Sequence, residues 1–176
     1  LCLTQNEYWE EKIKRIGVPI IYCGKSNNRL KKLFELKRQI KKIKPDILYS
    51  THFFTNIYTS ILGSFLSIPT ISSVRSDFKT EIKIIGKFKS IISLKMSSLT
   101  VTNSMNAIYN GKKILKNHQW RYLPNFIDVN YFIPDMKHRK SDDPQYFNIL
   151  YVGRLSREKR IDFFIEIIFE LKKILM

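Results

Sequence analysis

The stretch Tyr151-Val152-Gly153-Arg154-Leu155-Ser156-Arg157-Glu158-Lys159-Arg160-Ile161-Asp162 decides how the chain is read. Its opening residues predict a short buried strand that ends at Gly153. A tight polar turn follows, then a helix from near Glu158 that carries Ile161, Phe164, Ile165, Ile168 and Leu171 on one face. Where a strand turns into a helix, the first helical N–H groups are unpaired and the helix dipole favours an anion. Arg154 and Lys159 flank that turn, so two cations and the dipole converge on one place suited to a phosphate or diphosphate. Taken alone, the stretch reads more simply as an ordinary strand–loop–helix unit with solvated charges.

Upstream, the pattern alternates strand and helix. Helices are predicted over about 7–16, 29–43, 81–96 and 103–115, with a further one through Ile57, Ile61, Leu62 and Phe65. Strands are predicted at Pro19–Cys23, Asp46–Ser50, Thr70–Val74 and Leu99–Thr102. Short strands alternating with helices of this length indicate βαβ units and an α/β fold with a Rossmann-like parallel sheet. The polar, proline-flanked run 135–146 lacks apolar periodicity and reads as an interdomain linker. The expected organisation is therefore a first domain over 1–134, the linker 135–146, and the first strand–helix unit of a second lobe over 147–176. One βα unit cannot bury its own faces, so the second lobe reads as truncated. The opening, with strand residues and no Gly-rich loop, reads as lacking its first strand.

At 176 residues and 44% hydrophobic composition the chain can bury one good core. No apolar run is long enough to span a bilayer, and the first residues turn polar too soon for a signal peptide. Cys2 and Cys23 lack metal-ligand spacing and read as free thiols of a reducing cytoplasm. The net charge of +16, from 31 Lys+Arg against 15 Asp+Glu, attracts nucleic acid or anionic lipid. No helix-turn-helix, zinc-finger or RNA-binding signature accompanies it, so nucleic acid is not the expected partner.

Two dozen residues before the opening stretch lies Tyr122-Leu123-Pro124-Asn125-Phe126-Ile127-Asp128-Val129-Asn130-Tyr131-Phe132-Ile133-Pro134. It resembles the "PNGID…F.P" segment that precedes the hinge in retaining glycosyltransferases of family four. "YVGRLSREKRID" is similar to the "VGRL…EKG…D" motif that opens their second domain. Two such motifs in order, across a short polar linker, are a specific match. Asp46-Ile47-Leu48-Tyr49-Ser50-Thr51-His52 resembles their "PD.VH.H" stretch.

The resemblance implies a GT-B fold, with two Rossmann-like lobes facing across a cleft, and transfer of a sugar from a nucleotide-diphosphate donor with retention. The acceptor it implies is a growing polysaccharide or lipid-linked saccharide, met in the cytoplasm or on the inner face of an anionic membrane. No metal and no other cofactor is implied. Gly153, Arg154 and Lys159 would hold the donor diphosphate, whose charge grows as the glycosidic bond breaks. Arg binds phosphate bidentately and Lys as a compact charge. His52, past the carboxyl end of a strand, would contact the transferred sugar or orient the acceptor; a surface loop histidine accounts for it equally well. Arg75, at the end of the next strand, would face an acidic or phosphate-bearing acceptor, or simply pair with Asp77 or another carboxylate.

Two departures and a coincidence accompany the match. Arg160 and Phe126 stand where the family has glycine, and Phe126 is incompatible with a left-handed backbone free of strain. Asn125 reads as a turn residue and Asp128 as a helix or turn cap. Glu158 and Glu166 have the spacing of the family's paired glutamates but lie too early in the chain and receive no role. As a fragment, the 176 residues are expected to lack transferase activity. The rival readings are a non-catalytic basic module that binds anionic membrane or nucleic acid and, more weakly, a nucleotide-sugar epimerase or another Rossmann enzyme, which the absence of any G-x-G-x-x-G counts against.

Overall fold

Among the described residues, four parallel strands form a sheet in sequential order: β1 (Leu48–Tyr49), β2 (Thr70–Val74), β3 (Leu99–Thr102) and β4 (Trp120–Tyr122). The computed structural model describes residues 1–133 and 149–175. The chain divides into two compact units, Leu1–Ile127 and Asp128–Met176. The expected linker over 135–146 lies outside the described residues.

Seven helices accompany the strands among these residues: α1 (Glu10–Arg15), α2 (Arg29–Ile43), α3 (Asn56–Leu66), α4 (Phe78–Ile85), α5 (Lys87–Lys95), α6 (Met105–Ile114) and α7 (Ile161–Leu175). Several of their starts are set by short polar side chains that take up orphan N–H groups. Asn28 Oδ1 accepts from the N–H groups of Leu30 and Lys31, Asp77 from Thr80, and Ser104 from Ala107. The α2 range matches the sequence expectation, ending at Lys44 in a left-handed conformation before Pro45.

Two expectations need correction. The single helix predicted over 81–96 is two helices, because Gly86 sits at φ +96° and breaks the ladder between α4 and α5. The strand predicted at 19–23 shrinks to one parallel bridge between Tyr22 and Cys2. Cys2 donates to the Ile21 carbonyl and accepts from the Cys23 N–H, each at 2.8 Å. Cys23 is a free thiol in a buried position, and burial pushes its pKa up, which keeps it unreactive.

Alternation along β2 sends Thr70, Ser72 and Val74 to one face, with Thr100, Thr102 and Trp120 alongside by register. Val74 and Trp120 join Phe53, Phe78, Leu94 and Ala107 in the main core. The Phe78 ring meets Phe53 and Trp120 edge-on, with centroids 6.2 and 5.8 Å apart. A second cluster gathers Cys23, Leu36, Ile40 and Leu62. Parallel strands covered by helices are usually Val/Ile/Leu-rich. Here the covered face is largely Thr and Ser, and the helices answer with equally small residues. Ser60 on α3 donates to the Ser93 carbonyl on α5 at 2.6 Å. Gly111 on α6 lies where a Cβ would come within 2.4 Å of the Trp120 ring.

Asn56 joins these parts. It is fully buried at the start of α3; its Nδ2 donates to the Ser73 carbonyl at 2.9 Å and its Oδ1 accepts from the Ser73 N–H at 3.1 Å. Strand β1 stops pairing at Tyr49 opposite Ile71, with Ser50 N–H adding one last bond to the Ile71 carbonyl. The amide of Asn56 thus supplies to Ser73 the donor and acceptor that a longer β1 would have given. Replacing it by Ala strands two buried backbone groups, at about 1–3 kcal/mol each. Asn56→Ala is expected to lose about 2–4 kcal/mol in urea denaturation, and Asn56→Asp, which keeps the acceptor but not the donor, to recover little of it.

His118, half-buried, places Nε2 2.7 Å from Thr100 Oγ1 and its ring edge-on to Trp120. Burial lowers its pKa below the ordinary 6.5. The unfolded chain therefore takes up this proton first as pH falls. The stability that depends on neutral His118 is complete above about pH 6.5 and is lost as pH falls toward the folded-state value. Denaturation at pH 7.5 and 5.5 should show this acid loss in the parent protein and a shallower one in His118→Gln.

Candidate functional site

At the carboxyl ends of β1 to β4 the chain leaves the sheet through polar residues, the place where open parallel sheets bind ligands. Three of these residues are tied together. Asn125 Oδ1 accepts from Arg75 Nη2 at 3.0 Å and from Asn103 Nδ2 at 3.1 Å, joining the exits of β2, β3 and β4. Tyr49, at the end of β1, accepts at its hydroxyl from Ser73 Oγ at 3.2 Å. Asn125 is more than a turn residue: it is the acceptor that orients the Arg75 guanidinium.

The pairing of Arg75 with Asp77 does not form. Asp77 caps α4, and the N–H and hydroxyl of Thr80 hold its carboxyl below the usual carboxylate range. Arg75 is exposed and has no carboxylate within ion-pair distance among the described residues. Most of its N–H donors therefore face solvent at the sheet edge. Phe126 is exposed and avoids positive φ, so this loop differs at that residue from a glycine-bearing one. Asp128 is a turn cap, as expected, with Oδ1 accepting from the N–H groups of Asn130 and Tyr131 at 2.9 and 3.3 Å.

His52 follows β1 in extended conformation and starts the short 3-10 turn Phe53–Thr55. Its carbonyl accepts from Ser50 Oγ at 3.0 Å and Thr55 Oγ1 at 2.7 Å, which fixes the backbone under the ring. The exposed imidazole stacks on Phe54 with centroids 5.6 Å apart and planes 23° from parallel. It stands on the wall of a cavity of about 670 Å³ shared with Leu3, Leu36, Ile40, Tyr49 and Tyr58. Thr51 lines the same cavity, so either residue of the Thr51-His52 pair reaches that space.

In the second unit, the strand expected to end at Gly153 is not formed among residues 149–153. Leu150 and Val152 are 84% and 85% exposed, and no described strand pairs with them. An extended segment without a neighbour has no ladder to close, whatever its apolar content. The helix begins at Ile161 rather than near Glu158, after a 3-10 turn over Arg157–Lys159. Tyr151 folds back on this turn: its hydroxyl donates to the Lys159 carbonyl at 3.3 Å and its ring lies 5.1 Å from that of Phe164. A Cβ at Gly153 would come within 2.8 Å of the Tyr151 hydroxyl, so the glycine keeps Tyr151 in place.

Arg154 reaches Glu158 only at 3.8 Å, with both side chains about four-fifths exposed. An exposed pair of this kind contributes little and releases Arg154 readily. The start of α7 already faces an anion of its own. The Phe163 N–H and the Arg160 guanidinium hold the Asp162 carboxyl below the usual range, with Arg160 Nε 3.2 Å from both carboxylate oxygens. With Asp162 at the helix terminus, Arg154 and Lys159 remain exposed cations of this turn. No cluster of His, Cys, Asp or Glu suited to a metal ion occurs among the described residues.

Arg160 adopts φ 48°, ψ 45°, the left-handed conformation that glycine takes without cost. Arg160→Gly removes that strain and the exposed Asp162 pair together. Relief of about 1–2 kcal/mol of left-handed strain, less about 0.5–1 kcal/mol for the entropy of glycine, is expected to raise stability slightly, read as a higher midpoint in thermal or urea unfolding.

No protein-family model matches the chain, and no curated protein sequence matches it either. Among solved structures, it is similar to the UDP-GlcNAc 2-epimerase from Methanocaldococcus jannaschii at 14% identity and a TM-score of 0.43. That likeness covers 66% of this chain and 34% of the epimerase. The chain thus spans about a third of that enzyme's length, and a likeness at this score is too weak to assign a reaction.

Proposed function

We propose that the chain forms part of a GT-B-type glycosyltransferase that moves a sugar from a nucleotide-diphosphate donor to a saccharide or lipid-linked acceptor, with retention. The observation that carries this reading is the ordered pair of segments, 122–134 with Pro124, Asn125 and Asp128 and 151–162 with Gly153, Arg154, Glu158 and Lys159. The geometry adds support. The first segment enters the sheet edge through Asn125, and the second holds Arg154 exposed and only loosely paired.

In this reading the bond from the sugar C1 to the distal phosphate oxygen breaks, the electron pair leaves with the nucleoside diphosphate, and an acceptor hydroxyl oxygen bonds to C1 while its proton passes to the departing diphosphate. Arg154 and Lys159 meet the charge that grows on that oxygen, which is where electrostatic stabilisation favours the transition state most. His52, on its fixed backbone and stacked on Phe54, presents a ring nitrogen to a sugar hydroxyl and orients the transferred group. Arg75, steered by Asn125, meets an anionic group on the acceptor. Tyr151 and Gly153 act indirectly, by setting the turn that carries the two cations.

The test is single-turnover transfer by the whole protein from a panel of nucleotide-diphosphate sugars. Arg154→Ala and Lys159→Ala are each expected to weaken donor turnover by about 1.5–3 kcal/mol, the scale of a hydrogen bond to a charged group. His52→Ala should lower turnover with the fold unchanged by circular dichroism. Unchanged donor kinetics in both cation variants would leave these residues as solvated charges and remove the reading.

A further inference from the structure

The corner between α4 and α5 carries a different combination of residues. Gly86 marks its apex, where a Cβ would meet nothing within 4 Å. The backbone there is well held: the Gly86 N–H donates to the Ile82 carbonyl at 2.9 Å, and its own carbonyl accepts from Ser90 N–H at 3.0 Å and Ser90 Oγ at 2.9 Å. Phe78, Ile82 and Ile85 anchor α4 to the core, as Leu94 anchors α5. Two large apolar side chains point the other way: Ile84 is 72% exposed and Phe88 77%.

Around this pair lie Lys79, Lys83, Lys87 and Lys89, with Glu81 as the one acid between Phe78 and Lys95. None of the four lysines forms an ion pair among the described residues. A corner of this kind combines uncovered hydrocarbon with concentrated positive charge. The other Lys-rich helix, α2, differs in having internal partners: Lys37 lies over the Phe65 ring at 3.8 Å and Arg38 pairs with Glu35 at 2.8 Å.

We propose that the α4–α5 corner docks the protein on an anionic lipid surface, with Ile84 and Phe88 entering the interface and the four lysines meeting headgroup phosphates. Charge complementarity selects an anionic partner. The apolar pair selects one with a hydrocarbon layer, which neither a nucleic acid backbone nor a solvated acidic peptide offers. Amphipathic helical elements of this composition lie in the headgroup–acyl boundary, and their basic residues add an attraction that salt screens. This docking does not depend on the sugar-transfer reading.

The experiment is co-sedimentation of the 176-residue protein with phosphatidylcholine vesicles that contain either no anionic lipid or about a third phosphatidylglycerol. Binding should be at least tenfold stronger to the anionic vesicles and should weaken in about 0.5 M salt. Ile84→Ser with Phe88→Ser, and separately Lys83→Gln with Lys87→Gln and Lys89→Gln, should each reduce it at least tenfold while the thermal midpoint stays unchanged. Phe34→Ser on α2 should leave it within twofold. Equal binding to both vesicle types, undiminished binding by both corner variants, or an equal loss in Phe34→Ser would overturn the proposal. So would complete displacement from anionic vesicles by a stoichiometric amount of single-stranded RNA, which would identify nucleic acid as the preferred partner.

Discussion

The hydrogen bonds between Asn56 and Ser73 are the constraint on which the first unit depends. A two-residue β1 leaves β2 with backbone groups that neither strand nor water can reach. The side chain of Asn56 satisfies both, one as donor and one as acceptor. Because the same residue begins α3, the repair also fixes where that helix starts and how it lies on the sheet. The chain between β1 and α3 is then free to turn outward, and this turn carries His52.

Small polar residues extend the same logic through the interior. Thr70, Ser72, Thr100 and Thr102 on the strands and Ser60, Ser90 and Ser93 on α3 and α5 are all buried, and the serine hydroxyls bond to carbonyls of their own or the neighbouring helix. The arrangement has a cost, since Thr70 Oγ1 and Ser72 Oγ find no hydrogen-bond partner among the described residues. Phe53, Phe78 and Trp120 form the bulky aromatic part of the core. They supply apolar burial that Ser and Thr cannot.

The sheet edge and the 151–162 turn show two ways of keeping cations available. Arg75 is steered by a neutral amide oxygen, which orients the guanidinium without cancelling its charge. Arg154 has a carboxylate near it, but at a distance and exposure where the attraction is slight. Arg160, by contrast, is committed to Asp162 and carries a left-handed backbone. Three arginines that read alike as letters therefore differ in what they can bind.

Much of the fold was legible in the sequence because local rules govern it. The apolar periodicity that predicts α2 over 29–43 acts within a few residues. The alternation of strand and helix was enough to require parallel pairing, and the turn cap at Asp128 was legible for the same local reason. What depended on distant partners was not legible. An apolar run says nothing about whether a neighbouring strand exists, so the strands expected at Pro19–Cys23 and before Gly153 dwindled to a bridge and to an exposed segment. The roles of Asn56 and Asn125 likewise depend on backbone and side chains 17 to 50 residues away. A sequence names the residues that can bond, cap or carry charge; only the tertiary structure brings each to the partner that decides which of these it does.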